Sequence, residues 1–187
     1  MPDDRIIPPH GGYRTLLSYK KSEIVYDATV YFTRRFYEKR DRTVDQMVQA
    51  ARSGKQNIIE GSMASATSKE AELKLTNVAR ASPEELLADY RDFLRVRGLQ
   101  EWDARHPYVL RLRELNRQPD ADYDKFRKGV EHDNPEICVN VIIGLIKVSC
   151  YLLDRQIERI ENEFLEQGGI RERMTRARLK RRSEKGG

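Results

Sequence analysis

Two cysteines, one tryptophan, three histidines and seven prolines are all that this chain of 187 residues holds of those types. Each scarcity removes a class of protein. Cys138 and Cys150 both fall in an apolar stretch of helical character, so they read as small core residues of a reducing compartment and argue against a disulfide framework. His10, His106 and His132 stand in expected loops without cysteine or carboxylate partners at ligand spacing, which argues against a zinc or iron centre. The Glu-x-x-His pairs by which helical bundles hold di-iron are absent. Ser53, Ser62, Ser65 and Ser68 have no histidine nearby to activate them. Gly11-Gly12 and Gly168-Gly169 lack the strand–loop–helix setting of a phosphate loop. No catalytic residue, metal or cofactor is therefore assigned, and the chain is not expected to be an enzyme. Long hydrophobic runs are also missing. The most apolar window, Ile137 to Leu153, is interrupted by Asn140 and Lys147 and is short for a bilayer. The opening MPDDRIIPPHGG has neither a basic start nor an apolar run. The expectation is a cytoplasmic protein with no membrane span.

What is present points to helices. Hydrophobic residues make up 39% and charged residues 35% of the chain, with only eleven glycines to interrupt them, so the surface is heavily ionic. The length suits one domain with an extension. The organising stretch is Val44 to Ser68. In it Met47, Ala51, Gly54, Ile58 and Gly61 step by four, three, four and three, which places them on one face of a helix. Glycine inside a helix costs about 1 kcal/mol against alanine. Two on one stripe predict close approach of a neighbouring helix, in an all-α bundle.

Around that helix the others fall into place. Residues 1–14 form an N-terminal arm rich in proline. The first helix runs from near Thr15 to about Lys39, with Leu17, Ile24, Ala28, Tyr31 and Arg35 on one stripe and Val25, Phe32 and Phe36 on the next. Its aromatics read either as core with an amphipathic rim or as a stacking platform for bases. Met63 to Thr67 is a loop, and Ser68 caps a third helix that ends at Gly98. Leu75, Val78, Ser82, Leu86, Tyr90 and Phe93 form its expected buried stripe. Ser82-Pro83-Glu84-Glu85 is also a good helix start, so this is two helices or one; the stripe keeps its phase through Pro83 and favours one kinked helix. Residues 99–134 are the least periodic, with one short helix expected from Pro107 to Asn116. Asn134-Pro135-Glu136 opens the last long helix, which ends before Gly168-Gly169. Its first half is apolar on nearly every face, more than one bundle buries, and this predicts a second subunit.

The charge is uneven. Residues 171–187 contain eight basic residues and two acidic ones, a net of +6 against +5 for the whole chain, so residues 1–170 carry −1. Basic character thus belongs to the tail, residues 168–187. Arg171, Arg173, Arg176, Arg178, Lys180, Arg181 and Arg182 are the candidate nucleic-acid contacts, because a guanidinium fork suits phosphate. Ile170, Met174 and Ala177 would share one side of the tail if it is helical. A disordered solubilising end is the plainer reading, and a membrane-surface helix a weaker one, since the apolar face is thin. Arg34, Arg35, Lys39, Arg40 and Arg42, where the first helix ends, are a second basic candidate.

The run Ser53-Gly54-Lys55-Gln56-Asn57-Ile58-Ile59-Glu60-Gly61, followed by Ser68-Lys69-Glu70 and Glu72, resembles a motif of one bacterial family. These are the four-helix-bundle proteins of 23S ribosomal RNA intervening sequences, which include the accessory variability proteins of diversity-generating retroelements. Ala79 to Leu86 and Gly144-Leu145-Ile146-Lys147 are similar to further signatures, and Gly168 to Met174 resembles the suffix of one branch. The likeness covers residues 16–100 and 136–165; Lys55, Pro83 and the insert depart from the pattern. It implies an up-and-down antiparallel four-helix bundle over residues 15–167, with the insert 99–134 between its third and fourth helices and a basic C-terminal extension. It also implies a homopentamer without established catalysis, and binding of RNA and a reverse transcriptase by some members. Under it Gly54, Asn57, Glu60 and Gly61 are structural, with Asn57 and Glu60 holding helices together. DNA remains open as the nucleic acid.

Overall fold

The computed structural model describes residues 11–118 and 120–185, without the side chains of residues 167, 180, 184 and 185. The expected arm therefore lies outside the described residues up to His10. Every described element is helical. A 3-10 turn, Tyr13–Thr15, precedes α1 (Leu17–Phe36), α2 (Arg42–Ala64), α3 (Lys69–Val96), α4 (Pro107–Arg117), α5 (Tyr123–Val130), α6 (Pro135–Gln167) and α7 (Ile170–Lys185).

Local chemistry starts and stops these helices. Asp41, Ser68, Asp122 and Asn134 each accept a backbone N–H in the first turn that follows, which satisfies a donor with no intrahelical partner. Gly98 ends α3 at φ +65°, with its own N–H donated to the Arg95 carbonyl and that of Leu99 to the Leu94 carbonyl. That paired arrangement is the glycine stop expected of a helix C-terminus.

The four long helices α1, α2, α3 and α6 pack in a closed cycle, α1 on α2, α2 on α3, α3 on α6 and α6 on α1. Neighbours run antiparallel. Ser18, early in α1, donates to Gln156, late in α6, at 2.7 Å, while Arg80 of α3 meets Asp154 and Lys69, eleven residues earlier, meets Glu163. The core is aromatic at one end. Phe32, wholly buried, lies 4.8 Å from the Phe93 ring and 5.0 Å from that of Tyr90, whose hydroxyl donates to Thr29 at 3.1 Å. Phe36 and Tyr37 join the cluster. Tyr19 and Tyr26 lie at the rim, the first donating to Glu23 and the second beneath Lys55 Nζ at 4.3 Å. The aromatics of α1 are thus core and rim.

α3 is unbroken through Pro83. A Cβ built on Gly54 would sit 3.4 Å from Pro83 Cδ and 3.6 Å from the Ala79 carbonyl; one on Gly61 would sit 3.4 Å from Thr76 Oγ1. Both glycines face α3, and a methyl group at either would meet it in ordinary van der Waals contact. Gly54→Ala is therefore expected to be neutral or stabilising, whereas Gly54→Leu should overpack the contact and lose about 1–3 kcal/mol. Thermal melts of both variants check this; a Leu variant as stable as the parent would show that the contact yields.

The structure corrects two sequence expectations. Leu17 and Val78 are 45% and 41% exposed. The buried stripe in the first half of α3 is instead Glu72, Thr76 and Ala79, small or polar residues that match the glycines opposite. Second, residues 99–134 hold two helices, and these lie on α6. Leu112 of α4 and Phe126 and Val130 of α5 are buried with Val139, Val141 and Ile142 of α6. The second apolar face of α6 is covered by its own chain, so it no longer calls for a partner subunit. By length and composition alone α6 contains a window able to cross a membrane, and 61% of that window is buried inside the protein. Cys138 and Cys150 belong to this buried helix, and burial pushes their thiols up to about 12 and about 11.

Candidate nucleic-acid interface

The tail forms a helix. α6 stops at Gly168, whose φ of +69° and whose contact with the Glu172 carboxylate leave no room for a side chain. The Gly169 N–H donates to Glu172 Oε2 at 2.9 Å and so starts α7. From Arg176 to Ser183 every described residue is exposed, Arg178, Arg181 and Arg182 among them, while Arg173 is half-buried; the side chain of Lys180 lies outside the described residues. At 100° per residue Arg171, Arg178 and Arg182 fall on one stripe, with Arg173 and Arg176 on the opposite side. Arginine therefore surrounds α7. Of the expected apolar side, Ile170 is half-buried, Met174 is 44% exposed and Leu179, further on, is 59% exposed.

The second basic candidate lies elsewhere. Arg34, Arg35, Lys39, Arg40 and Arg42 are all exposed around the turn from α1 to α2. Arg35 pairs with Asp133 at 3.3 Å, just before α6 begins, whereas α7 follows the other end of α6. α6 has 33 residues, about 50 Å at 1.5 Å per residue, so the two clusters do not form one surface. Arg97 extends the second cluster, 5.7 Å from the centre of the Tyr37 ring and 3.8 Å over that of Phe93. Sequence reading missed it because it closes α3, remote in the chain. Glu38, Asp41 and Asp92 dilute the charge there.

The central motif splits. Asn57 Nδ2 donates to the Ser53 carbonyl at 2.9 Å and to its hydroxyl at 3.3 Å, and that hydroxyl accepts from Ser82 of α3 at 3.0 Å. Asn57 thus reaches α3 through Ser53. Glu60 is exposed, with no side-chain hydrogen bond or ion pair among the described residues, so the helix contact does not run through it. A polar tie the motif did not announce lies nearby. Lys69 bridges Glu72, 5% exposed, at 2.9 Å and Glu163 of α6 at 2.8 Å.

Among the described residues no group of three or more His, Cys, Asp or Glu is arranged to hold a metal ion. His106 caps α4 and stacks on Trp102 at 4.2 Å, and His132 accepts the Asn134 N–H. Comparison with protein families, with characterised proteins and with solved structures returns no match for this chain.

Proposed function

We propose that this chain is a non-catalytic helical scaffold, an up-and-down antiparallel four-helix bundle with an insert, that binds nucleic acid, RNA foremost, through α7. One observation carries the reading: a helix surrounded by exposed arginines on a body that is otherwise near neutral. A polyanion gains from such a surface by releasing condensed counterions, whatever its sequence. A single strand can wrap both stripes of α7, which a rigid duplex reaches only in part. The family resemblance agrees with this reading and adds a homopentamer, which we place in the cytoplasm.

The test is fluorescence anisotropy of a labelled single-stranded RNA with the full chain and two triple variants. Arg171→Ala/Arg178→Ala/Arg182→Ala should weaken binding at least tenfold at 0.1 M salt, because three cations that neutralise phosphates are removed. Arg34→Ala/Arg40→Ala/Arg42→Ala, at the far end, should stay within about twofold. The reverse order would move the interface to the α1–α2 turn. A second reading, a protein-interaction scaffold with a partner such as a reverse transcriptase, is favoured by Met174 and Leu179, apolar side chains exposed among the arginines. It takes over if the full chain binds neither RNA nor DNA. For assembly, light scattering at micromolar concentration should give a multiple of the 21.9 kDa chain mass, and a monomer would contradict the pentamer.

A further inference from the structure

The insert builds a cavity of about 340 Å³ on α6 that nucleic-acid binding by α7 does not use. Its floor is apolar. Leu112, Phe126 and Val141, one from each of α4, α5 and α6, are buried there, and Leu115 and Ile137 remain half-exposed within it. Its charged lining is cationic: Arg111, Lys125 and Lys128, with no carboxylate. Lys125 is held by Asp120 at 2.9 Å and Gln118 at 3.0 Å, but Arg111 and Lys128 have no side-chain hydrogen bond or ion pair among the described residues. Behind the floor stands Lys21, 4% exposed, its Nζ 4.9 Å from the Phe126 ring centroid and without a hydrogen-bond partner. Burial and the nearby Lys125 hold its pKa below the usual lysine range.

Two unmet demands meet in one place. Half-exposed aliphatic groups in a concavity favour an apolar occupant, and unpaired cations beside a low-dielectric floor favour an anion. A base or sugar would leave its own polar groups unpaired against Leu112, Phe126 and Val141, which speaks against a nucleotide. We infer that the cavity binds a small amphipathic carboxylate, with its apolar body on Leu112, Phe126 and Val141 and its carboxylate at Arg111 and Lys128. Arginine offers the two parallel donors that a carboxylate accepts.

Trp102 is the only tryptophan in the chain and forms a wall of the cavity, so its emission reports on occupancy. The full-length protein is titrated with dodecanoate, with 4-phenylbutanoate and with the neutral dodecanol. A saturable change in Trp102 emission is expected with a carboxylate, at tenfold or more lower concentration than with the alcohol; whichever carboxylate saturates first shows whether the body is aliphatic or aromatic. Arg111→Glu/Lys128→Glu changes two exposed side chains, and should weaken the carboxylate at least tenfold while leaving the alcohol unchanged. The inference is overturned if neither carboxylate gives a saturable response, if the alcohol binds as tightly, or if the folded double variant binds the carboxylate as well as the parent.

Discussion

A chain ending at Gly169 should unfold at the temperature of the full-length protein and should lose about a hundredfold or more of its affinity for single-stranded RNA at 0.1 M salt. The stability half of this expectation follows from the core. All the fully buried large side chains, from Phe32 to Ile160, precede Gly169. Exposed residues removed from a surface usually change stability by less than about 0.5 kcal/mol. The affinity half follows from charge. Without α7 the remaining body has a net charge near −1 and offers a polyanion no overall attraction. In an assembly of several copies the loss would be larger, because repeated weak contacts add through effective concentration. Melting curves and anisotropy titrations on the two chains check both halves. Undiminished affinity in the shorter chain would transfer the interface to the body.

Lys69→Ala is expected to destabilise the fold by about 3 kcal/mol, the lower part of the range for breaking a buried ion pair. The side chain of Glu72 is only 7% exposed, and without Lys69 its carboxylate would lie buried with no counter-charge. Glu163 would suffer less, since it is half-exposed and keeps Arg159 at 3.5 Å. Replacing both partners, Lys69→Met with Glu72→Leu, should recover much of the loss, because the cost lies in the orphaned charge. The pH dependence has a definite sign. Burial lowers the Lys69 pKa, but hydrogen bonds to Glu163 and Glu72 outweigh it and leave the native value above the unfolded one of about 10.4. The stabilisation is then whole below that pH and fades as pH rises through the native value. Denaturant unfolding at pH 7 and above pH 10 checks both points: the gap between parent and Lys69→Ala should narrow in alkali. A gap that widens would show that the ammonium does not stabilise the fold.

The parts of the fold legible in the sequence are those decided within three or four residues. Ser68, Asn134 and Gly98 act on backbone groups of their own turn, and their residue types announce it. What depends on a distant partner is not legible in the same way. On α3, hydrophobicity selects Val78, yet Gly54 and Gly61 bring α2 so close that only Ala79, Thr76 and Pro83 fit opposite, and Val78 is displaced to the surface. The excess apolar surface of α6 is visible, but part of its cover is α5, eight residues with two buried side chains, Phe126 and Val130, too short to show a period. The tie between Lys69 and Glu163 spans 94 positions and leaves no local pattern. For the candidate interface the arginines of the tail stand out by composition alone. Their separation from the α1–α2 cluster requires the antiparallel order of α1 and α6.

The measurement that bears most directly on the proposed role is the salt dependence of RNA affinity for the full-length protein. α7 carries six arginines, and a single strand releases about 0.7 counterion per phosphate neutralised. A plot of log affinity against log salt concentration should be linear with a slope of about −3 to −4. A slope near zero, or no binding at about 50 mM salt, would contradict the account.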